Sequence, residues 1–250
     1  MKKITSKTNE KIKQIKKLLQ NKHRTDSYLI EGIHLVEEAI QYQATIQTLV
    51  FTEKFAEQFE DILPNTEKII TTAEVLQQLT EVKTPQGIVA VISKPKDWAQ
   101  NFSGNWLVLD RVQDPGNVGT MIRTADAAGV SGVIISKDSV DIYNPKVLRS
   151  MQGSHFHLPI VEAADLPLLL QQLAKTKILL VSTLSMDSID YHKLNIRDNW
   201  LLVMGNEGSG VTQKIQDLAD MRVHISMNGA AESLNFAVAT GILIFYLIKL

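Results

Sequence analysis

The stretch WLVLDRVQDPGNVGTMIRTADAAG, residues 106 to 129, decides the fold of the larger part of this chain. Its opening residues, WLVLD, are apolar at successive positions up to Asp110, the mark of a strand buried on both faces. From residue 118 the spacing changes: Val118, Met121, Ile122 and Ala125 fall at i, i+3, i+4 and i+7, the buried stripe of a helix. A strand, a polar turn and a helix in succession make a β–α unit. Between strand and stripe, Pro115 and Gly116 read as a tight turn and Asn117 as the helix N-cap. Arg123 lies off the stripe, so its guanidinium is expected to point from the first helical turns toward the space beyond the strand ends. There it can form paired hydrogen bonds with a phosphate or ribose oxygen. The ordinary explanation of the same residues is a capping asparagine and a surface arginine.

Working outward, GVIIS (132 to 136), KILLVST (177 to 183), WLLVMG (200 to 205) and VHIS (223 to 226) repeat the continuous apolar pattern, separated by helix-length segments. Such strands predict a parallel sheet covered by helices on both sides, an α/β fold. Two further polar clusters follow strands, MGNEGSG at 204 to 210 and HISMNGAAESLN at 224 to 235. Open α/β sheets bind ligands beyond the carboxyl ends of their strands, so all three clusters are candidates for one site.

In the second cluster Gly205, Gly208 and Gly210 surround Asn206, Glu207 and Ser209. Three glycines in six residues let the backbone approach a ligand closely, and Glu207 brings a carboxylate to the mouth. The spacing is G-x-x-G-x-G, whereas a dinucleotide fingerprint is G-x-G-x-x-G on the first strand-to-helix turn, so a nucleotide-dependent oxidoreductase is disfavoured. A glutamate there suits a cationic or polyhydroxylic ligand better than a pyrophosphate. In the third cluster Ser233 and Asn235 open the apolar C-terminal helix, where taken singly they read as caps.

The first ninety residues predict a smaller mixed α/β unit. A basic helix over about 8 to 20 leads to YLIEG and a helix carrying Leu35, Val36, Ala39 and Ile40. Short strands follow at 48 to 51, 68 to 72 and 87 to 92. KPKDWAQNFSGN (94 to 105) has proline, charge and small polar residues without apolar periodicity, which marks a linker. The expected domains are therefore 1 to 93 and 106 to 250.

Composition fits an ordinary globular protein of 250 residues with 44% hydrophobic content. The absence of cysteine excludes disulfides, thiolate zinc sites and a cysteine nucleophile, and no metal site is expected. The lysine-rich start lacks the apolar core of a signal peptide, and Phe236 to Ile248 is too short to span a bilayer and reads as buried. A cytoplasmic protein with no membrane contact is the expectation. Net charge is −1, yet residues 1 to 24 carry nine Lys and Arg against Glu10 alone. That local patch reads either as an arm for phosphates or as the solvated face of a helix whose Ile12, Ile15, Leu18 and Leu19 point inward. His155 and His157 flank Phe156 without nearby carboxylates or cysteines and are expected to be packing or surface residues.

Taken together and in this order, the three clusters resemble the motifs of the SpoU/TrmH family of RNA 2′-O-ribose methyltransferases. Asn117, Gly119 and Arg123 match the first. Gly205, Glu207, Gly208 and Gly210 match the second, and Ser233, Leu234 and Asn235 the third. YLIEGIHLVEEAI (28 to 40) and TPQGIVAVI (84 to 92) are similar to the small ribosomal-protein-like substrate-binding domain that many members carry. Arg149, Ser150 and Gly153 resemble a semi-regular R-S-x-x-G feature, with a glycine-closed helix end as the equal alternative.

The resemblance implies a C-terminal α/β domain with a deep trefoil knot, although connections in folds are otherwise almost never knotted. It implies S-adenosyl-L-methionine as cofactor, RNA as partner, and a homodimer with the C-terminal helix in its interface. Carried over by position, Thr183, Leu184, Gly205, Asn206, Gly210, Ile225, Met227 and Leu234 would hold the cofactor. Arg123, Asn117, Glu207, Ser233 and Asn235 would be catalytic. Arg123 corresponds to the family's proposed base, yet a guanidinium normally keeps its proton, so its role is left open. Asn117 would orient it or the ribose, and the other three would shape the pockets. The N-terminal module points to large-subunit (23S) rRNA, with tRNA as the alternative substrate. A non-catalytic RNA-binding protein with a methyltransferase fold is the rival class, opposed by the intact motif residues.

Overall fold

The computed structural model describes residues 1 to 95, 101 to 185 and 187 to 249. The N-terminal elements are β1 (Lys2–Ile4), α1 (Glu10–Lys17), β2 (Ser27–Glu31), α2 (Ile33–Gln41), β3 (Ile46–Thr52), α3 (Ala56–Phe59), β4 (Glu67–Thr71), α4 (Ala73–Leu76) and β5 (Ile88–Ser93). They are followed by β6 (Trp106–Leu109), α5 (Pro115–Ala128), β7 (Gly132–Ser136), α6 (Pro145–Met151), β8 (Ile160–Ala163), α7 (Leu166–Leu173) and β9 (Ile178–Ser182). The chain ends with β10 (Ile189–Asp190), β11 (Trp200–Met204), α8 (Gln213–Gln216), β12 (Met221–His224) and α9 (Phe236–Lys249). Two compact units emerge, Met1–Lys96 with Tyr143–Phe156, and Asp97–Ile142 with His157–Leu250. Residues 143 to 156, which include α6, thus pack with the N-terminal unit although they interrupt the C-terminal one in sequence. Of the proposed linker, residues 96 to 100 lie outside the described residues.

In the first unit the sheet order is β1-β4-β3-β5-β2, with parallel pairing at β1/β4/β3 and antiparallel pairing at β3/β5/β2. Ile12 and Ile15 of α1 join Ile4, Leu29, Val50, Ile69 and Val89 in its core, which leaves the lysines outside as the helical spacing requires. Many lysines of the N-terminal stretch are partnered. Lys3, Lys7, Lys11 and Lys13 pair with Glu53, Glu74, Glu67 and Glu10, and Lys16 reaches Gln78. The Lys11 hydrogen bond holds the Glu67 carboxyl below its ordinary range. Within this unit Tyr28 and His155 share a buried hydrogen bond at 3.0 Å, which is the packing role expected for that histidine. Arg149 sits on α6 and acts electrostatically on Glu31, whose carboxyl burial pushes upward. Gln152, not glycine, takes the left-handed C-cap of α6, and Gly153 follows with φ of 97°.

In the second unit all seven strands run parallel in the order β10-β12-β9-β11-β6-β7-β8. The chain steps outward from β6 to β7 and β8, then returns across β6 and lays down the remaining strands on its other side. The order therefore reverses between β6 and β11. Strand residues alternate faces. Trp106, Val108, Ile134, Leu179, Val181, Leu201 and Val203 share one core with Leu166 and Leu170 of α7 and Ile215 of α8. On the other side α5 contacts β7, α9 contacts β11, and the two helices pack against each other.

Helix α5 begins earlier than its apolar stripe suggests. Asp114 is the N-cap, its carboxylate accepting the Asn117 N–H at 2.7 Å, and Pro115 fills the first helical position, where a missing N–H costs nothing. Asn117 is therefore inside the helix and not its cap. Helix α9 is also not buried all round. Ala237, Thr240, Leu243, Ile244 and Leu247 are buried, while Val238, Phe245 and Ile248 form an exposed apolar stripe. No described helix is long and apolar enough to cross a membrane. Strands β1, β8 and β10 went unmarked in the sequence because they are two to four residues long and carry polar or exposed positions.

The first residue of β7 shows how closely the sheet is covered. A Cβ on Gly132 would fall on the indole of Trp106, which is itself fully buried. Gly132→Ala is expected to cost about 1–3 kcal/mol through forced repacking, read as a lowered midpoint in chemical denaturation with an unchanged slope.

Candidate functional site

The three clusters meet at the carboxyl ends of β6, β11 and β12, at the point where strand order reverses. The second cluster leaves β11 as a tight loop in which Asn206 and Gly210 exchange backbone hydrogen bonds of 3.0 and 2.8 Å. The Asn206 side chain fills the loop, its Oδ1 accepting the N–H groups of Gly208 and Ser209 at 3.0 Å each. Gly205 is required by close approach, since a Cβ there would fall on the backbone of Gly210 and Val211. Gly210 is required by its φ of 67°.

A hydrogen-bonded chain joins all three clusters. The Glu207 carboxylate accepts the backbone N–H groups of Gln113 and Asp114 at 3.3 and 3.2 Å, and the Asn117 amide at 3.4 Å. Asn117 Oδ1 in turn accepts a 3.0 Å hydrogen bond from Asn235 Nδ2. Asn235 Oδ1 accepts the N–H groups of Ala237 and Val238, capping α9. Glu207 therefore spends much of its accepting capacity on the first cluster, in addition to lining the cavity beside it.

That cavity, of about 300 Å³, is walled by the ends of β9, β11 and β12. Of the residues expected to hold a cofactor, Thr183, Leu184, Gly210, Ile225, Met227 and Leu234 line it. Gly205 and Asn206 do not line it but shape the loop that does. Glu207 and Ser233 also face it, whereas Asn117 and Asn235 sit beside it through the hydrogen-bonded chain. The mixture suits an amphiphilic molecule, with apolar Leu184, Ile225, Met227, Leu234 and Phe236 set against hydroxyls and the backbone of the glycine loop.

Arg123 stands apart. It lies in the third turn of α5, about 9 Å along the axis from Asn117, exposed and not among the cavity-lining residues. The expectation that it points from the first turns over the strand ends is corrected accordingly: the helix begins at Pro115, which moves Arg123 deeper into it.

Sequence reasoning missed several wall residues. His224 ends β12, its ring 2.9 Å from Ser188 Oγ and 3.3 Å from Ser226 Oγ. Ser226 donates to Asp190, whose carboxyl is pulled down to about 2, first by that bond and then by the His192 N–H. A depressed carboxyl keeps its contacts above its ordinary range and loses them only as pH falls through about 2, so this strut stays intact around neutrality. Position at a strand end was the available signal for His224. Gln216, which donates to Val211 O at 2.8 Å, offered none.

Comparison with known proteins gives two family matches. Residues 104–245 match the SpoU rRNA Methylase family, and residues 9–90 match the MRM3-like substrate binding domain. The chain is 37% identical over 249 residues to the 23S rRNA (guanosine(2553)-2′-O)-methyltransferase RlmP of Bacillus subtilis, covering 99% of both. Among solved structures, the AdoMet-bound rRNA methyltransferase from Sinorhizobium meliloti superposes with a TM-score of 0.88 at 33% identity, covering 99% of this chain and 97% of that one. The SpoU methyltransferase AviRb from Streptomyces viridochromogenes, in complex with AdoMet, gives 0.86 at 28% identity, covering 96% and 97%.

The glycine loop yields a direct test. Gly205→Ala forces the loop off the end of β11, so affinity for S-adenosylmethionine in titration calorimetry is expected to fall at least about tenfold, each factor of ten being about 1.4 kcal/mol, while the circular dichroism spectrum is retained.

Proposed function

The chain belongs to the SpoU rRNA methylase family, and from that premise we propose that it transfers a methyl group from S-adenosylmethionine to a ribose 2′-hydroxyl of 23S rRNA. The observation that carries this reading is the chain Glu207–Asn117–Asn235, which draws the three motifs together at the edge of an amphiphilic cavity. When bound, S-adenosylmethionine supplies a methyl group on a sulfonium, which leaves as a neutral thioether. The residues of this chain have two tasks. Thr183, Leu184, Ile225, Met227 and Leu234, with the 205–210 loop, bind the cofactor and exclude water from it. Asn117 and Asn235, held by Glu207, orient the ribose at the cavity mouth, where near-attack positioning and transfer of the 2′-hydroxyl proton to a base matter most.

Arg123 completes the site from a second copy of the chain. In one subunit it is exposed and off the cavity. The neighbouring helix α9 presents Val238, Phe245 and Ile248 to solvent, an apolar stripe suited to a twofold partner. The helices approach closely, Thr124 of α5 lying against Gly241 of α9, so burying that stripe carries Arg123 into the interface. There it meets the RNA phosphate or the 2′-oxygen of the partner's site. The N-terminal unit holds the RNA, its surface lysine pairs being weak enough to exchange for phosphates. The knotted path implied by the resemblance belongs to the same reading, as does a cytoplasmic location.

Two outcomes are expected. Mapping of 2′-O-methylation on 23S rRNA from cells lacking the protein shows one nucleotide unmodified, restored by the wild-type chain; an unchanged map of that RNA removes the proposed substrate. Arg123→Ala lowers transfer at least about 10²-fold with cofactor affinity retained. Mixing it with Gly205→Ala restores part of the activity, because one site of the mixed dimer is then intact; no recovery on mixing places the arginine within its own subunit.

A further inference from the structure

Against the glycine loop, off the cavity wall, lies a brace that the motif residues do not include. Asp110 follows β6 and is almost wholly buried; its Oδ2 accepts the Thr212 N–H at 2.8 Å, and its own N–H donates to Met204 O at 2.8 Å. Arg111 follows with φ of 57°, a left-handed backbone that an L-residue adopts at a cost and that favours glycine or asparagine. From this position its N–H donates to Ser136 Oγ at 2.9 Å. Its carbonyl accepts Asn206 Nδ2 at 3.0 Å, and its Nη2 donates to Gly210 O at 3.1 Å. Nε lies 3.4 Å from Asp110 Oδ1, an ion pair and not a hydrogen bond. The pair thus grips the loop near its start through Asn206, at its last residue through Gly210, and just beyond through Thr212.

Resting on the reading of the cavity as the cofactor site, the geometry points to Arg111 as a positioning residue for S-adenosylmethionine binding, acting through the loop and touching neither cofactor nor RNA. Three observations converge. Arg111 is absent from the cavity wall, whereas Gly210, which it holds, is part of it. The Gly210 carbonyl already accepts the Asn206 N–H, so the guanidinium is its second donor and fixes the direction of that peptide plane. The strained backbone is occupied by a long cationic side chain instead of a residue that would relieve it, which marks the side chain as the reason for the choice. Around it stand Asp110, Asp138 and Asp165 with Lys137, at the ends of β6, β7 and β8.

The test separates this role from simple stability. Arg111→Asn tolerates the left-handed backbone and removes the guanidinium; Arg111→Lys keeps a charge but not the planar donor. In Arg111→Asn relief of the left-handed backbone opposes loss of the Asp110 ion pair and the Gly210 bond, so the thermal midpoint is expected to fall, and binding is measured where the variant is wholly folded. The Kd and KM for S-adenosylmethionine rise at least tenfold, kcat at saturating cofactor falls less than threefold, and Arg111→Lys lies between. Amide exchange of residues 208 to 211, measured without cofactor, quickens at least tenfold. Cofactor affinity within twofold of wild type overturns the brace, as does unchanged exchange. Should the wild-type chain itself bind no S-adenosylmethionine, the cavity reading fails, and the exchange result still decides whether Arg111 orders the loop.

Discussion

The carboxylate of Glu207 is the anchor on which the rest of the site depends. It comes from the loop after β11 and accepts two backbone N–H groups and one side-chain amide, all from the segment after β6. Hydrogen bonds to a charged acceptor contribute more than neutral ones, on the order of 1–3 kcal/mol each where well shielded; at 3.2 to 3.4 Å and partly solvated, these fall at the low end. Their value is geometric. Strands β6 and β11 are neighbours, so their carboxyl-terminal loops leave the sheet side by side, and the carboxylate locks one loop to the other. The Gln113 and Asp114 donors lie at the entrance to α5, where unpaired N–H groups and the helix dipole favour an anion.

A parallel sheet explains why such a lock is available. Each strand ends at the same edge, and reversal of strand order between β6 and β11 sends the two following segments to opposite sides, leaving a crevice. Residues 118 apart in sequence then become neighbours without long-range guidance from their own segments. Strands β6 and β11 are buried throughout, Trp200 to Met204 being inaccessible, so their loops stand on a rigid base. Gly205 belongs to that arrangement, because the loop returns so tightly on β11 that Val211 packs back into the core.

The sequence made the framework legible where periodicity was strong. The apolar runs at 106, 132, 177, 200 and 223 correspond to β6, β7, β9, β11 and β12, because strands covered on both faces leave no polar alternation to misread. Strands β1, β8 and β10 were hidden by brevity: two lysines in β1, and a single acid in each of β8 and β10, break up runs of only two to four residues. At Asp114-Pro115-Gly116-Asn117 two signals competed. Proline followed by glycine reads as a turn, while aspartate before proline reads as an N-cap, and the cap prevails because the Asn117 N–H needs an acceptor. Spacing put Arg123 off the buried stripe, but it carries no information on where an outward side chain finds its partner. Arg111 was invisible for another reason, since neither its left-handed backbone nor its reach to Gly210 leaves a periodic trace.

Residue choice at 117 and 235 follows from the direction of the hydrogen-bonded chain. It begins at a pure acceptor, the Glu207 carboxylate, and ends at pure donors, the N–H groups of Ala237 and Val238. Every link between must donate with one end and accept with the other, and a side-chain amide does both. An aspartate at 117 would set a second carboxylate against Glu207 and offer nothing to it. An aspartate at 235 would still cap α9 but would face the Asn117 oxygen with another acceptor. A serine at either place has one rotor and too little length to bridge both neighbours. The two asparagines, read singly as caps, are thus the only short side chains that carry one polarity from the loop of β11 to the first turn of α9, and only one of them is a cap.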